Sequence, residues 1–122
     1  MRTPPSDARV AALVPLQPRD YLILLALVDG PMHGHGLLRA VEQEAGGVLF
    51  DPANLYRLLR KLERDALVSE VRPTPKQDGH KRREYTLTAL GRAVLVAESA
   101  RLAALTDTAR ARKLVAGRSG SR

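Results

Sequence analysis

The 122-residue sequence predicts a mainly α-helical domain with one small β-hairpin and a long C-terminal helix. Three observations lead there. Three segments with apolar residues at helical spacing follow one another, punctuated by Gly30-Pro31, Gly46-Gly47 and Asp51-Pro52. Two β-type runs, "LVSEVR" and "REYTL", flank a connection holding two prolines and Asp78-Gly79. After Thr88 an apolar-rich stretch runs to Leu114 without a proline.

Composition narrows the function classes. Hydrophobic residues make up 44% of the chain, enough for a core. The net charge of +7 favours a polyanionic partner. Cysteine is absent, which excludes disulfides, thiolate catalysis and cysteine-based zinc sites. Pro4, Pro5, Pro15 and Pro18 break the N-terminal apolar runs, so neither a signal peptide nor a membrane partner is expected. The expected compartment is the cytoplasm.

Residues 1–17 read as a tail whose one candidate helical run is "DARVAALV". Pro18 opens the first main helix, "RDYLILLALVDGP", and Gly30-Pro31 stops it. Its apolar density implies burial on more than one side. A second, short helix carries Leu37, Val41 and Ala45 at spacing four, before Gly46-Gly47. "VLF" at 48–50 is a candidate edge strand.

Asp51 then stands where an N-cap belongs, with Pro52 at the first helical position, which its fixed φ suits. At 100° per residue, Leu55, Leu58, Leu59, Leu62 and Ala66 share one face of this third helix. Ala53, Arg57, Arg60 and Arg64 fall opposite, with Asn54 and Lys61 beside them and Tyr56 on the flank. Glu63 also lies on the flank, so the outward arginines have no acid on their own stripe. Leucines dock the helix; cations face out.

The hairpin connection is basic, with Lys76, Lys81 and Arg82, and Arg72 and Arg83 at the strand ends. Thr88 is placed to cap the last helix. There Leu90, Val94, Ala97 and Ala104 form one stripe, and Leu95, Leu102 and Ala109 a second at spacing seven. Two stripes require two partners: the domain's own core and a second copy. Leu95, Leu102, Leu105 and Ala109 are the candidate dimerisation residues, and the expected partner is a homodimer mate.

Helix, helix, helix, hairpin, helix is the order of a winged helix-turn-helix domain. In that fold the third helix enters the major groove, where arginine pairs bidentately with guanine, and the hairpin wing meets the backbone. Asn54, Tyr56, Arg57, Arg60, Lys61 and Arg64 are therefore the candidate DNA contacts on the helix. Lys81, Arg82 and Arg83 are the candidates on the wing. The division expected is a tail at 1–17, the winged domain at 18–88, a dimerisation helix at 89–115 and a disordered tail at 116–122.

"HGHGLLRAVEQEAGG", "LYRLLRKLERDALV" and "DGHKRREYTLTALGRAVL" together resemble the PadR family of bacterial transcriptional regulators, from about Pro18 to about Ala111. The resemblance implies a dimeric repressor of double-stranded DNA, in a family many of whose members respond to small molecules. The single C-terminal helix is similar to the short class. The chain departs from the family pattern at His35, where tyrosine is usual, at Ala53-Asn54, and at Ala66, where glycine is common.

Other chemistries find no support in the sequence. His33, His35 and His80 lack cysteine or carboxylate partners at ligand spacing, so structural roles are expected and no metal. No nucleophile–base pair and no phosphate-cradling glycine loop occurs, so neither enzyme activity nor a cofactor is expected. With aromatics at 3% and no tryptophan, an effector pocket would be aliphatic, and the sequence names no small molecule. The competing function is a winged-helix protein–protein adaptor that has lost DNA contact.

Overall fold

The computed structural model describes residues 6–44, 51–71 and 83–117. Five helices and three strands follow one another: α1 (Asp7–Ala12), α2 (Pro18–Ala26), β1 (Met32–His33), α3 (Gly34–Glu44), α4 (Pro52–Arg64), β2 (Val68–Val71), β3 (Glu84–Leu87) and α5 (Ala89–Ala111). This is a mostly helical winged helix with a small antiparallel sheet, as the sequence predicts.

The sheet has three strands in the order β1-β3-β2. Val68 faces Leu87 and Val71 faces Glu84 across the expected hairpin, while Met32 pairs Tyr85 along the other edge of β3. That third strand is two residues long and carries no alternation, so no sequence pattern marks it. The candidate strand at 48–50 lies outside the described residues.

Leucines fill the core. Ile23, Leu24 and Leu27 of α2, Leu37 and Val41 of α3, and Leu55, Leu58, Leu59 and Leu62 of α4 meet Leu67, Val68, Tyr85, Val94 and Leu95. Leu37 and Val41 of α3 are buried on the expected stripe, and Gly34 is buried as well; Ala45 falls outside the described residues.

The junction between α4 and α5 explains two motifs. Helix α4 closes with Ala66 at φ 64, while the Ala66 and Leu67 amides donate to the Glu63 and Leu62 carbonyls at 3.0 Å each. That is a Schellman turn, the place where glycine is favoured. The Thr88 hydroxyl donates to the Ala66 carbonyl at 2.7 Å and accepts from the Gly91 amide at 2.9 Å, so one side chain caps α5 and clamps the end of α4. Gly91 has no alternative: a Cβ there would lie 2.1 Å from the Leu67 carbonyl oxygen.

The N-terminal segment corrects one expectation. From Ser6 onward it is not a tail but part of the packed domain. Ser6 caps α1, α1 packs on α5, and Val10, Leu13, Val14 and Leu16 rest against the core. The Leu16 amide donates to Glu98 of α5 at 3.2 Å. The cause is a partner 82 positions away, which composition does not show.

Leu95 needs the same correction. It is 5% exposed within its own chain, so it is a core residue and does not offer its side chain to a second copy. Leu102 and Ala109 are half-buried and Leu105 is 54% exposed, so these three still present apolar surface. Of the tail expected to be disordered, 116–122, residues 118–122 lie outside the described part.

Candidate nucleic-acid interface

Helix α4 forms because its ends and faces agree. Asp51 accepts the Asn54 amide at 2.9 Å, satisfying an orphan N–H, and Pro52 occupies the first turn, where its missing N–H costs nothing. All four leucines are buried, while Arg57, Arg60 and Arg64 are exposed. Among the described residues no acid lies within ion-pair distance of these three arginines.

The remaining candidates on α4 divide. Arg57 donates from its guanidinium to the Asn54 side-chain carbonyl, so the two act as one polar unit on the helix surface. Tyr56 is 39% exposed, and its ring lies against the first turn of α3. A Cβ added at Gly34 would fall 2.2 Å from the Tyr56 hydroxyl, which makes Gly34 the space that lets α4 close onto α3. Lys61 points elsewhere. Its Nζ sits 2.5 Å from Oδ2 of Asp20 on α2, a residue only 3% exposed. Periodicity places Lys61 beside the cationic stripe, but a buried carboxylate draws its ammonium back toward α2. It stands in this structure as an internal partner.

His33 has a local role. Its Nδ1 accepts the Gly36 amide at 3.2 Å and so caps the start of α3.

On the wing, Lys81 and Arg82 lie outside the described residues. Arg83 is well exposed, with its Nε 3.8 Å from Glu70 of β2. Glu63 and Glu70 come together at the corner between α4 and the wing. Burial pushes the Glu63 carboxyl up, and the neighbouring Glu70 pushes the same way, while Arg83 and Arg60 oppose both. The Tyr85 hydroxyl beneath them is raised by burial first and then by the Glu70 and Glu63 charges. Sequence reading places Glu63 on the flank but has no signal for its meeting with Glu70, which depends on the hairpin register. No helix among the described residues is long and apolar enough to cross a membrane.

Known proteins can be set beside this geometry. A 37.1 kDa protein in transposon TN4556 of Streptomyces fradiae is 38% identical over 85 residues, covering 70% of this chain. The chain spans 23% of that relative's length. A PadR family transcription regulator from Clostridium difficile R20291 superposes with a TM-score of 0.67 at 17% identity, over 77% of this chain and 96% of that one. Bacillus subtilis PadR, solved in complex with operator DNA, superposes with a TM-score of 0.57 at 22% identity, over 65% of this chain and 46% of that one. At such identities the structural likeness is one of fold. The family model for PadR-like transcriptional regulators matches residues 23–97, from the core of α2 to the middle of α5. The chain belongs to the PadR-like family of transcriptional regulators, which are not enzymes.

Proposed function

We propose that this protein is a homodimeric, sequence-specific DNA-binding regulator that acts in the cytoplasm as a repressor and is released from its operator by a small molecule. One observation carries the DNA reading. Every leucine of α4 is buried, while Arg57, Arg60 and Arg64 stand exposed with no acid within ion-pair distance among the described residues. A helix held in this way presents arginine forks to a groove wide enough to admit it. An acidic or apolar outward face would favour the adaptor reading, and α4 presents arginines instead. Operator DNA bound to Bacillus subtilis PadR agrees with the reading.

Support for the dimer comes from Leu102, Leu105 and Ala109, apolar positions that the protomer leaves wholly or partly exposed. Repression and its relief rest on membership of the family.

The test selects a duplex from random DNA and compares it with a scrambled duplex at several salt concentrations. Arg57→Ala or Arg60→Ala should cost about 1–3 kcal/mol on the selected duplex and spare the scrambled one. Lys81→Ala with Arg82→Ala should weaken both alike and flatten the log–log salt slope by roughly two contacts. Equal binding of both duplexes by the wild-type protein would refute sequence-specific reading. For the regulatory half, a reporter downstream of the selected duplex should be silenced when the protein is expressed; unchanged or raised output refutes repression.

A further inference from the structure

The Asp20–Lys61 contact is a directional polar bond that ties α2 to the C-terminal half of α4. Asp20 is 3% exposed, and the Lys61 side chain is about a third exposed at 37%. The two residues are 41 positions apart, at 2.5 Å between Nζ and Oδ2.

Packing around the pair is open. On one side lies a cavity of about 470 Å³, whose walls include Gln17, Pro18, Leu22, Asn54, Arg57 and Leu58 as well as the pair itself. On the other side lies a smaller cavity of about 190 Å³, bounded by Leu13, Leu16, Leu62 and Asp65 and again by both Asp20 and Lys61. The pair thus stands between two open clefts, beside the buried Leu58 and Leu62.

This matters because leucines and ion pairs constrain different motions. Apolar contact is non-directional, so a leucine stripe sets how deeply α4 is seated more firmly than how it is rolled about its axis. A charge-assisted hydrogen bond is directional. A roll of about 15° moves a side-chain tip at the 5–6 Å helix radius by roughly 1.5 Å. That displacement exceeds the distance tolerance of a hydrogen bond, so it would break a bidentate contact to a base.

We propose that the Asp20–Lys61 pair is a strut that sets the roll of α4, making Asp20 a positioning residue for base discrimination. The proposal rests on the DNA reading above and deepens it. Arg57, which shares the wall of the larger cavity with Lys61, is the reading residue most directly held in place.

The experiment titrates wild type, Asp20→Asn, Lys61→Met, the double variant Asp20→Asn/Lys61→Met and Lys61→Arg. Each is measured against the selected duplex and its scrambled counterpart at several salt concentrations, and each is melted. The first three variants should lose roughly tenfold in the selected-over-scrambled ratio, the worth of one weakened base contact, with scrambled binding within about threefold of wild type. The double variant leaves no buried charge unpaired, so it should melt near wild type and show that lost discrimination is not lost folding. Lys61→Arg keeps the pair and should keep the ratio. A double variant that folds and retains the wild-type ratio overturns the proposal. It is equally overturned if Lys61→Met weakens both duplexes alike and flattens the salt slope by about one contact, for Lys61 would then be a phosphate contact. Wild-type protein that enriches no sequence overturns the DNA reading itself, and the strut with it.

Discussion

The two halves of α5 are both rich in apolar residues and have opposite surroundings. From Gly91 to Glu98 the helix lies in the protein: Gly91, Val94, Leu95 and Glu98 are buried. From Leu102 to Ala111 no residue is buried, and Leu105 stands more than half exposed. Stripe analysis divides this helix around its circumference, one side for the core and one for a partner. The structure divides it along its length. In the near half the N-terminal segment reaches Glu98 through the Leu16 amide, and Leu95 leaves the dimerisation set because the protomer's own core buries it. Residues at spacing seven share a direction, but direction alone does not say what stands there.

The comparison breaks first in the far half. Leu105→Glu should convert a dimer into a monomer at micromolar concentration, because each copy loses a leucine burial worth roughly 1.5–3 kcal/mol and gains a charge. Light scattering on dilution decides it. A variant as dimeric as wild type means that the far half is solvent-washed and the interface lies elsewhere.

Glu98 is the corresponding probe of the near half. It is 1% exposed, accepts the Leu16 amide, and takes two bonds from Arg101 at 2.8 and 2.7 Å. Glu98→Ala strands the Leu16 N–H and opens a cavity, and should cost about 2–4 kcal/mol in urea unfolding. The variant should also loosen the N-terminal segment, read as faster amide exchange at residues 10–16. Unchanged exchange there would mean that α1 is held by its apolar contacts alone.

The same residue makes the near half sensitive to acid. The hydrogen bonds from Arg101, together with the Leu16 amide, hold the Glu98 carboxyl below its ordinary value despite burial. A depressed folded pKa means stability that is fully present above the ordinary carboxylate range and is lost as pH falls through the folded value. Wild-type stability should therefore decline on acidification below about pH 4.5, the ordinary glutamate value, and Glu98→Gln should be weaker at neutral pH but show a shallower decline. Parallel pH profiles for the two proteins would remove Glu98 from the account.

How much of this the sequence carries depends on how far apart the interacting residues are. The α4 face, the Asp51 cap and the Thr88 cap all follow from patterns a few residues long, and the structure has them. The buried stripe of α3 follows in the same way. What escapes is set by pairs far apart in the chain: Leu16 with Glu98, Asp20 with Lys61, Tyr56 with Gly34. The short β1 escapes because two residues have no period. The site was therefore legible as a cationic helix face, whereas which cations on it are already engaged was not. Lys61 shows the difference, since helical phase alone ranks it with Arg57 and Arg64.

The smallest expected effect compares two helix ends. Ala66 and Lys113 both sit at φ 64, and both close a helix in the same Schellman pattern. In the first, the Leu67 amide bonds the Leu62 carbonyl at 3.0 Å, and both side chains are buried. In the second, the Leu114 amide bonds the Ala109 carbonyl at 2.8 Å, but Leu114 is largely exposed. A non-glycine residue in the left-handed region costs roughly 1 kcal/mol, and glycine removes that cost. Glycine also loosens the unfolded chain, which returns part of the gain. Ala66→Gly should therefore stabilise by up to about 1 kcal/mol, because the end of α4 is clamped by Thr88 and keeps its geometry in every folded molecule. Lys113→Gly should change little if the far half of α5 frays, since strain that is released by fraying is not present to be relieved. If a second copy covers Leu102 and Leu105 instead, the helix end is held, and Lys113→Gly should raise the melting temperature by an amount close to that of Ala66→Gly. Measured together at high and low protein concentration, the two variants report whether the uncovered half of α5 is folded because it is paired. A gain for Lys113→Gly that persists at dilutions where the dimer has dissociated would mean that the far half holds itself, and that its order says nothing about a partner.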